Sequence, residues 1–544
     1  MLRAIERHGL LAGAVTVGAI RHGDRVALAD ERGELTYKQL DERSNALANA
    51  WREHGLRAGD GVAILARNHR GFIDAVFAAA KCGARIVLLN TSFAGPQIRE
   101  VAGREGTDLL VYDDEYADML KGVDPPHGRW RAWTDEDEAK GSGAKGGHAK
   151  GGKAKRGVAK GVDAKGADRT GGDAQGGVVP DTLAALIAVA STDAPPKADT
   201  PPRIVILTSG TTGTPKGAPH AEPRSLALVG GLLSKVPFRA REVTELCVPM
   251  FHALGLAHMA LALALGSKLV VRRHFDPEQT LDSLAEQQAT ALIVVPVMLA
   301  RLLDLGDQAL ADHDLDHLKI IFAGGSQLGG ELCRRAMSAF GPIVYNLYGS
   351  TEVAYATIAT PEDLEAEPDT VGGVIRGTIV KILDEDGAEL PTGQTGRIFV
   401  GNSSQFEGYT GGETKEQVRG LMSSGDVGHF DQKGRLFIDG RDDEMIVSGG
   451  ENVFPHEVEE LLSGHEAISE VAAIGVEDEK FGQRLRAFVV LRDSARLSED
   501  EVKDYVRQHL ARYKAPRDVI FVDELPRNPT GKVLKRELAE MEGE

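Results

Sequence analysis

A stretch rich in threonine, serine and glycine follows directly after a short apolar run. The run 204–207 (IVIL) predicts a buried strand, and the stretch 208–217 reads TSGTTGTPKG. Glycine reaches backbone conformations closed to other residues, and free N–H groups can surround phosphate oxygens. The stretch lacks the Gly-Lys-Ser/Thr ending of the Walker loop, so we predict a phosphate loop of another type. Its candidate ligands are Thr208, Ser209, Gly210, Thr211, Thr212, Gly213 and Lys216. The alternative is a turn that binds nothing, which this composition after a strand disfavours.

Apolar runs alternate with helical patterns in the first half of the chain. The runs 62–65 and 86–89 predict buried strands, and the patterns 41–54 and 71–82 predict helices. Strands that alternate with helices favour mainly parallel α/β sheets. Residues 374–439 instead hold short strand-like runs separated by Gly, Asp and Pro, which predicts a smaller β-rich portion.

Length and charge limit the class of protein. A chain of 544 residues is too long for one compact core, so we expect two or more domains. Acidic residues number 81 against 63 basic ones, and the net charge of -18 argues against a general nucleic-acid binder. Neither metal-ligand spacing nor a disulfide framework is found among Cys82, Cys247 and Cys333. That usage suits the reducing cytoplasm, where we expect the protein.

The N-terminus imitates a targeting signal. Arg3 and Arg7 precede the apolar run 10–20, as in a signal peptide. Glu6 and His8 dilute the charge and no convincing cleavage site follows, so we favour a buried N-terminal helix or turn. No other run is long enough to span a bilayer.

Residues 139–176 form an insert with a five-residue period of Ala-Lys-Gly. This period matches neither a helix face nor a strand, and the glycine content opposes both, which predicts a disordered surface loop. The insert holds nine Lys or Arg against three Asp. A tether for nucleic acid or a membrane is therefore the functional alternative.

With the phosphate loop in place, the chain from about Leu35 to Lys535 resembles the adenylate-forming superfamily. That superfamily includes acyl-CoA and aryl-CoA synthetases, firefly luciferase and peptide-synthetase adenylation domains. The segment NLYGSTE (346–352) resembles its second motif. An aromatic ring beside glycine can stack on a purine, and a glutamate can hold Mg²⁺. The resemblance implies that Tyr348 packs on adenine, Thr351 meets the α-phosphate and Glu352 serves Mg²⁺. The other residues it assigns to the adenine site are Asn346 and Gly349, with Gly324, Gly325 and Ser326 on the opposite wall.

The later motifs follow in the same order. Asp426 and Arg441 resemble the ribose clamp of the superfamily, and Asp443 resembles its hinge. The segment 446–455 resembles the loop that lines the pantetheine tunnel of CoA ligases, with Ser448, Gly449 and Gly450 as candidate contacts. Near the C-terminus, Lys532 resembles the lysine that reaches the substrate carboxylate and the α-phosphate.

The sequence indicates the acyl site less clearly than the nucleotide site. The segment 249–255 resembles the region near the carboxylate, and we interpret His252 as a group that positions the carboxylate, or as a gate. Small residues at Gly255 and Gly325 are expected to leave volume open beyond the carboxylate. Leu254, Leu256 and Met259 are then expected to line an apolar tunnel. No nearby charge would recognise an amino group, which favours an apolar acyl tail.

Together these features predict an α/β fold with a large N-terminal domain, 1–440, and a small mobile α+β domain, 441–544. The large domain is expected to hold two α/β subdomains and a β-rich portion. The predicted function is an acyl-CoA synthetase that uses ATP, Mg²⁺ and CoA on a medium- to long-chain fatty acid. Its partners would be small molecules, and a homodimer is one assembly open to it. An aryl-CoA ligase, an enzyme that loads a carrier-protein thiol, a luciferase-like oxidative enzyme and a degenerate nucleotide-binding scaffold remain as alternatives.

Overall fold

Two compact units make up the chain, Met1–Leu89 with Phe93–Arg203 and Asn90–Ser92 with Ile204–Glu544. The computed structural model describes residues 2–134, 181–208, 215–221, 226–412, 414–442, 446–448, 451–478, 482–510, 514–528 and 531–541. The insert predicted at 139–176 lies outside these residues, as do Asp443 and residues 209–213 of the phosphate loop.

The first unit is a parallel sheet with helices packed beside it. Its strands β3, β4, β5 and β6 run parallel in the order β6-β5-β3-β4, and β1 pairs with β2 as an antiparallel hairpin. The strands are β1 (Val26–Asp30), β2 (Gly33–Thr36), β3 (Gly61–Leu65), β4 (Arg85–Leu88), β5 (Thr107–Asp113) and β6 (Arg129–Trp133). The helices are α1 (Leu2–His22), α2 (Tyr37–Glu53), α3 (Arg70–Cys82), α4 (Gly95–Arg104), a 3₁₀ helix (Asp114–Leu120) and α5 (Leu183–Val189).

Capping residues set where several helices begin. Thr36 and Gln39 form a capping box at α2, and the Thr182 side chain accepts a hydrogen bond from the backbone of α5. These bonds satisfy N–H groups that have no partner inside the helix. Helix α3 ends at Gly83, whose φ of 71° is left-handed, a conformation that favours glycine.

The second unit carries one long mixed sheet. Its strands β9 (Val243–Leu246), β10 (Lys268–Val271), β11 (Ala291–Val294), β12 (Ile320–Ala323) and β13 (Val344–Ser350) are parallel, in the order β13-β12-β11-β9-β10. Strands β7 (Arg203–Thr208) and β8 (Lys216–Ala221) are neighbours in another sheet. The helices are α6 (Ala227–Lys235), α7 (Ala253–Ala264), α8 (Pro277–Glu286), α9 (Pro296–Leu303), α10 (Asp307–Ala311), α11 (Gly330–Phe340) and α12 (Pro361–Ala366).

Beyond β13 the long sheet becomes antiparallel. It continues through β14 (Ala354–Ala359), β15 (Gly372–Val374), β20 (Arg435–Arg441), β19 (Leu421–Phe430), β17 (Gly396–Asn402) and β16 (Thr378–Leu383), with β18 (Gln417–Val418) on β19. Its core includes Val353, Ile398, Val400 and Leu436, and Tyr348 and Tyr409 pack against it. This portion matches the predicted β-rich portion.

The C-terminal segment has its own sheet. Its strands follow the order β22-β21-β24-β23, and β25 pairs in parallel with β24. The elements are β21 (Ile446–Ser448), β22 (Glu451–Val453), α13 (Pro455–Ser463), β23 (Ile468–Asp478), β24 (Gly482–Leu491), α14 (Glu499–His509), β25 (Asp518–Phe521) and α15 (Lys535–Glu540).

The α/β prediction is confirmed, and so are the individual predicted strands and helices of the first unit. The apolar N-terminal run lies inside α1. Within the residues described above, no helix combines the length and the apolar character needed to cross a membrane. The predicted boundary between 440 and 441 stays a prediction.

Candidate active site

Three predicted site residues, together with Val295, lie at one edge of the long sheet. His252 follows β9, Val295 follows β11 directly, Gly325 follows β12 and Tyr348 lies near the end of β13. Because these strands are parallel, their carboxyl ends meet at the same edge, where α/β proteins commonly bind ligands.

Glu352 is the centre of one polar cluster at this site. Its carboxylate accepts hydrogen bonds from Ser350 Oγ and Tyr409 Oη, each at 2.8 Å. The Nζ atom of Lys216, the lysine of the phosphate loop, lies 5.4 Å from the centre of the Tyr409 ring. The fold therefore brings the phosphate-loop cation and the predicted magnesium ligand to the same tyrosine.

The Glu352 side chain is buried but charged. Burial would raise the pKa of Glu352, but the Lys415 ammonium and the hydrogen bonds from Tyr409 and Ser350 lower it below its ordinary value. An ionised carboxylate with hard oxygens suits Mg²⁺, which also takes oxygens from substrate phosphates. Glu352 therefore fits the predicted magnesium role.

Asp426 is the centre of a second cluster. Its Oδ2 atom accepts a hydrogen bond from Tyr348 Oη at 2.6 Å, and its Oδ1 atom accepts one from Arg441 Nη1 at 3.2 Å. Asp426 and Arg441 are opposite each other in the register of β19 and β20. Burial, with Asp426 nearby, raises the pKa of the Tyr348 phenol well above its ordinary value, so it keeps its proton. The predicted ribose clamp and adenine tyrosine thus form one hydrogen-bonded unit.

Glycines shape the walls of this site. A side chain at Gly324 would meet Leu347 at 3.2 Å, and one at Gly349 would meet the Ala354 carbonyl at 2.1 Å. Gly325 has a left-handed φ of 88° and lies against Val295 and Leu254. Asn346 is buried on β13 opposite Ala323, while Ser326 is half-buried after β12 and Thr351 is half-buried between β13 and β14.

His252 precedes α7, and the Nε2 atom of its ring has no hydrogen-bond partner among the described residues. That atom is buried. Burial lowers the pKa of His252 to about 4, so the ring is neutral at neutral pH. An unpaired buried polar atom is costly unless a ligand meets it, which fits a carboxylate-positioning role.

The lysine turn reaches the same edge of the sheet. Gly531 has a left-handed φ of 75°, and a side chain there would lie 2.2 Å from Val297 Cγ1 and 3.6 Å from Val295 Cγ2. Asn528 closes the turn through its side chain, which accepts the Lys532 N–H at 2.9 Å. The turn that carries Lys532 therefore packs against Val295, which also borders Gly325.

The structure describes only part of the remaining predicted residues. Thr208 ends β7 and Ser448 ends β21, but their side chains are outside the described set, as are Gly449 and Gly450 entirely. The expected open space at Gly255 is wrong, because a side chain there would lie 2.3 Å from the Pro249 carbonyl oxygen. That glycine serves close backbone packing and adds no volume for an acyl chain.

Two polar residues of the site were not predicted from the sequence. Tyr409 contacts both Glu352 and Lys216, and Lys415 Nζ donates to the Ser424 carbonyl at 2.9 Å. Lys415 and Arg441 both flank Gly425. Gly408-Tyr409 repeats the glycine–aromatic pairing of 348–349, so that signal was available for Tyr409. Lys415 sits in a polar loop and has no such signal.

Comparison with known proteins identifies the family of this chain. The family model of AMP-binding enzymes matches residues 16–410, and that of the AMP-binding enzyme C-terminal domain matches residues 457–532. The chain is 28% identical to the fatty acid–acyl-carrier-protein ligase ScoC of Streptomyces coeruleorubidus, over 94% of this chain and 92% of the relative. It is 29% identical to a feruloyl-CoA synthase from Amycolatopsis sp, over 96% and 95% respectively.

The fold is also similar to solved structures. The ATP-bound MatB from Rhodopseudomonas palustris superposes with a TM-score of 0.79 at 25% identity, over 97% of this chain and 98% of that one. The family models, the relatives and the site geometry agree. The chain belongs to the AMP-binding, adenylate-forming enzyme family, and the prediction of an acid–thiol ligase of that family is confirmed.

Proposed function

We propose that this protein is an ATP-dependent acid–CoA ligase that works through an acyl-adenylate. One observation carries the proposal: the buried, ionised Glu352 shares Tyr409 with the phosphate-loop residue Lys216. A carboxylate and a cation held together in this way suit a magnesium-bound triphosphate.

In the first half-reaction, the substrate carboxylate attacks the α-phosphorus of ATP and pyrophosphate leaves. Asp426 accepts hydrogen bonds from the ribose hydroxyls, and Arg441 donates to the ribose or a phosphate. Glu352 would hold Mg²⁺, and the ion would supply positive charge that offsets the triphosphate. Lys532 contacts the carboxylate and the α-phosphate, because attack brings two anions together and negative charge builds at phosphorus.

In the second half-reaction, the CoA thiol attacks the acyl carbonyl carbon and AMP leaves. The C-terminal segment rotates about Asp443, which removes Lys532 and lets the loop 446–455 line the path of the pantetheine arm. A carrier-protein thiol is the competing acceptor, because ScoC is named for one.

The acyl group is proposed to be apolar and of medium to long chain. Leu256 and Met259 on α7 are buried, and Leu254 lies beside Gly325 next to the carboxylate region. A buried methylene contributes about 0.8 kcal/mol, so kcat/KM should rise about fourfold per carbon until the tunnel is full.

The test is a panel of straight-chain acids from acetate to palmitate, beside benzoate and cinnamate. Each acid is offered with ATP and either CoA or a pantetheinylated carrier protein, and the thioester is detected by mass spectrometry. We expect a CoA thioester whose rate rises with chain length. A flat or falling profile would remove the fatty-acid assignment, and thioester on the carrier protein alone would remove the CoA assignment.

A further inference from the structure

One lysine of the nucleotide site comes from the segment between β17 and β18. The Nζ atom of Lys415 donates a hydrogen bond to the Ser424 carbonyl at 2.9 Å, and the residue is half-buried. A side chain at Gly425 would lie 3.2 Å from Lys415 Nζ and 3.3 Å from Arg441 Nη2, so the two cations flank this glycine. Gly425 directly precedes Asp426, the carboxylate of the predicted ribose clamp. The Lys415 ammonium is therefore held next to the clamp.

The same ammonium acts on the predicted magnesium ligand. Burial would raise the pKa of Glu352, and the charge of Lys415 is the strongest influence that lowers it. An ammonium has three donors, and within the described chain the Ser424 carbonyl accepts from one of them. Lys415 therefore adjoins the ribose clamp, acts on Glu352 and keeps donors for a ligand.

The covalent order of a nucleotide indicates which of its groups would lie near Lys415. The α-phosphate is bonded to the ribose on one side and to the remaining phosphates on the other. A nucleotide whose ribose is bound by Asp426, and whose magnesium is bound by Glu352, has its α-phosphate between those two residues. Lysine is a strong donor to phosphate oxygens. The position of the Lys415 ammonium thus suits the oxygens of the α-phosphate.

A structural brace is the simpler explanation for this lysine. Its hydrogen bond to the Ser424 carbonyl, with the backbone bond from Ser423 N to Glu416 O at 2.9 Å, fastens the segment onto β19. A brace of this kind needs one donor only. Among the described residues it leaves the Lys415 ammonium without a carboxylate in direct contact, beside a second cation, Arg441. Like charges repel unless an anion lies near them, and a nucleotide phosphate supplies that anion.

We propose that Lys415 is a second catalytic cation, which donates to the α-phosphate and stays with it through both half-reactions. This inference rests on the proposed ligase function and goes beyond the role given to Lys532. Lys532 belongs to the C-terminal segment that is proposed to rotate away after the first step. Lys415 is fastened to β19, the strand that carries Asp426, so it remains where the nucleotide is bound.

Both steps place charge where this ammonium can offset it. In the first step a carboxylate oxygen bonds to the α-phosphorus, the bond to the bridging oxygen breaks, and its electron pair leaves with pyrophosphate. In the second step the CoA sulfur bonds to the acyl carbonyl carbon and the thiol proton passes to water. The bond from that carbon to the AMP oxygen breaks, and its electron pair stays on the AMP phosphate. A fixed cation at the α-phosphate stabilises both transition states.

The first experiment measures both half-reactions in Lys415→Met, which keeps the length of the side chain but removes its charge. Pyrophosphate release, and thioester formation from synthetic acyl-adenylate and CoA, should each fall about tenfold or more. Lys415→Arg should recover most of both rates, because it restores the cation. The matched control is Lys381→Met, which makes the same change in net charge at the edge strand β16, where Lys381 pairs with Glu389 at 2.6 Å. It should leave both rates within a few-fold. A loss confined to the first half-reaction in Lys415→Met would overturn the proposal.

Binding of AMP and of adenosine separates a phosphate contact from a brace. Both ligands carry the adenine and the ribose, and AMP alone carries the α-phosphate. Lys415→Met should weaken AMP binding about tenfold in calorimetry and leave adenosine binding unchanged. Equal weakening of both would mean that Lys415 only braces the clamp, and unchanged binding of both would mean that it contacts no phosphate. Either result overturns the inference while the ligase function stands. Failure of the unaltered protein to release pyrophosphate with any acid would instead overturn the ligase function.

Discussion

Polar groups on the nucleotide side of the site are hydrogen-bonded within the protein, whereas the polar atom predicted on the acyl side has no partner among the described residues. On the nucleotide side, Asp426 is bonded to Tyr348 and Arg441, and Glu352 is bonded to Ser350 and Tyr409. On the predicted acyl side, the Nε2 atom of His252 is buried and no described residue hydrogen-bonds it.

This difference suggests a division of labour. Groups already held by hydrogen bonds need little reorganisation to stabilise charge, which suits a chemical step common to a whole family. Buried groups left unpaired instead gain their bonds from the substrate, which suits selectivity between acids. Changes on the nucleotide side should therefore lower the rate for all acids alike, and changes on the acyl side should alter which acid is preferred.

The largest effect is expected from Lys532→Ala. We expect the first half-reaction to fall by about a hundredfold to a thousandfold, because a cation that meets charge in the transition state is lost. Pyrophosphate release measures this step. Synthetic acyl-adenylate mixed with CoA should still give thioester at a near-normal rate.

The matched control is Lys535→Ala. Lys535 lies three residues further on and pairs with Glu459 at 3.1 Å, so its loss tests charge near the C-terminus without the predicted contact. It should leave both half-reactions within a few-fold. Equal losses of both half-reactions in Lys532→Ala would contradict the assigned role.

A smaller effect is expected from Asp426→Asn. The amide keeps the shape of the carboxylate but replaces one acceptor oxygen with an NH₂ donor. The side chain can then no longer accept hydrogen bonds from both Tyr348 and Arg441. Hydrogen bonds to charged groups contribute about 1.5–3 kcal/mol, so kcat/KM for ATP should fall about tenfold to a hundredfold. Titration of ATP at saturating acid measures this change.

Tyr348→Phe should lower kcat/KM for ATP less than Asp426→Asn does, since it removes only one of the two hydrogen bonds to Asp426. The ranking of acids should be unchanged in both variants. An altered acid preference in Asp426→Asn would break the division between the two sides.

The sequence predicted the nucleotide side better than the acyl side, for a physical reason. Phosphate and ribose contacts lie in short motifs at the ends of strands, so the sequence alone predicts a set of them: Lys216, Tyr348, Glu352, Asp426 and Arg441. Tyr409 and Lys415 join them only through pairing across many residues of chain. Gly255 was misread because close backbone packing and open space both favour a glycine. His258 sits in an apolar helix, where its pattern is that of a core residue.

The smallest predicted effect is on how the stability of the protein depends on pH. Burial lowers the pKa of both His252 and His258 to about 4, below the ordinary value of 6.5. The unfolded chain takes up protons at these residues first, so the stability they contribute is present above pH 6.5 and is lost as the pH falls toward 4. The pKa of Glu352 is lowered below 4.5, so its stabilising contribution persists until the pH falls below that value. Between pH 7 and about pH 5.5, then, buried histidines such as these two should lose stability while Glu352 does not.

His258→Leu should therefore make the protein less sensitive to mild acid. One pKa unit corresponds to about 1.4 kcal/mol, so removing one such histidine should recover about tenfold in the folding equilibrium at about pH 5.5, relative to its effect at pH 7. Urea unfolding of both proteins at the two pH values measures the difference.

His313→Asn is the control with the opposite sign, because hydrogen bonds to the Ala309 carbonyl and to Asp282 raise the pKa of His313. The stability from His313 is present below its unfolded pKa and lost as the pH rises, so its removal should make the protein slightly more acid-sensitive. If His258→Leu left the acid sensitivity unchanged, His258 would already be charged in the folded protein, which would contradict its lowered pKa.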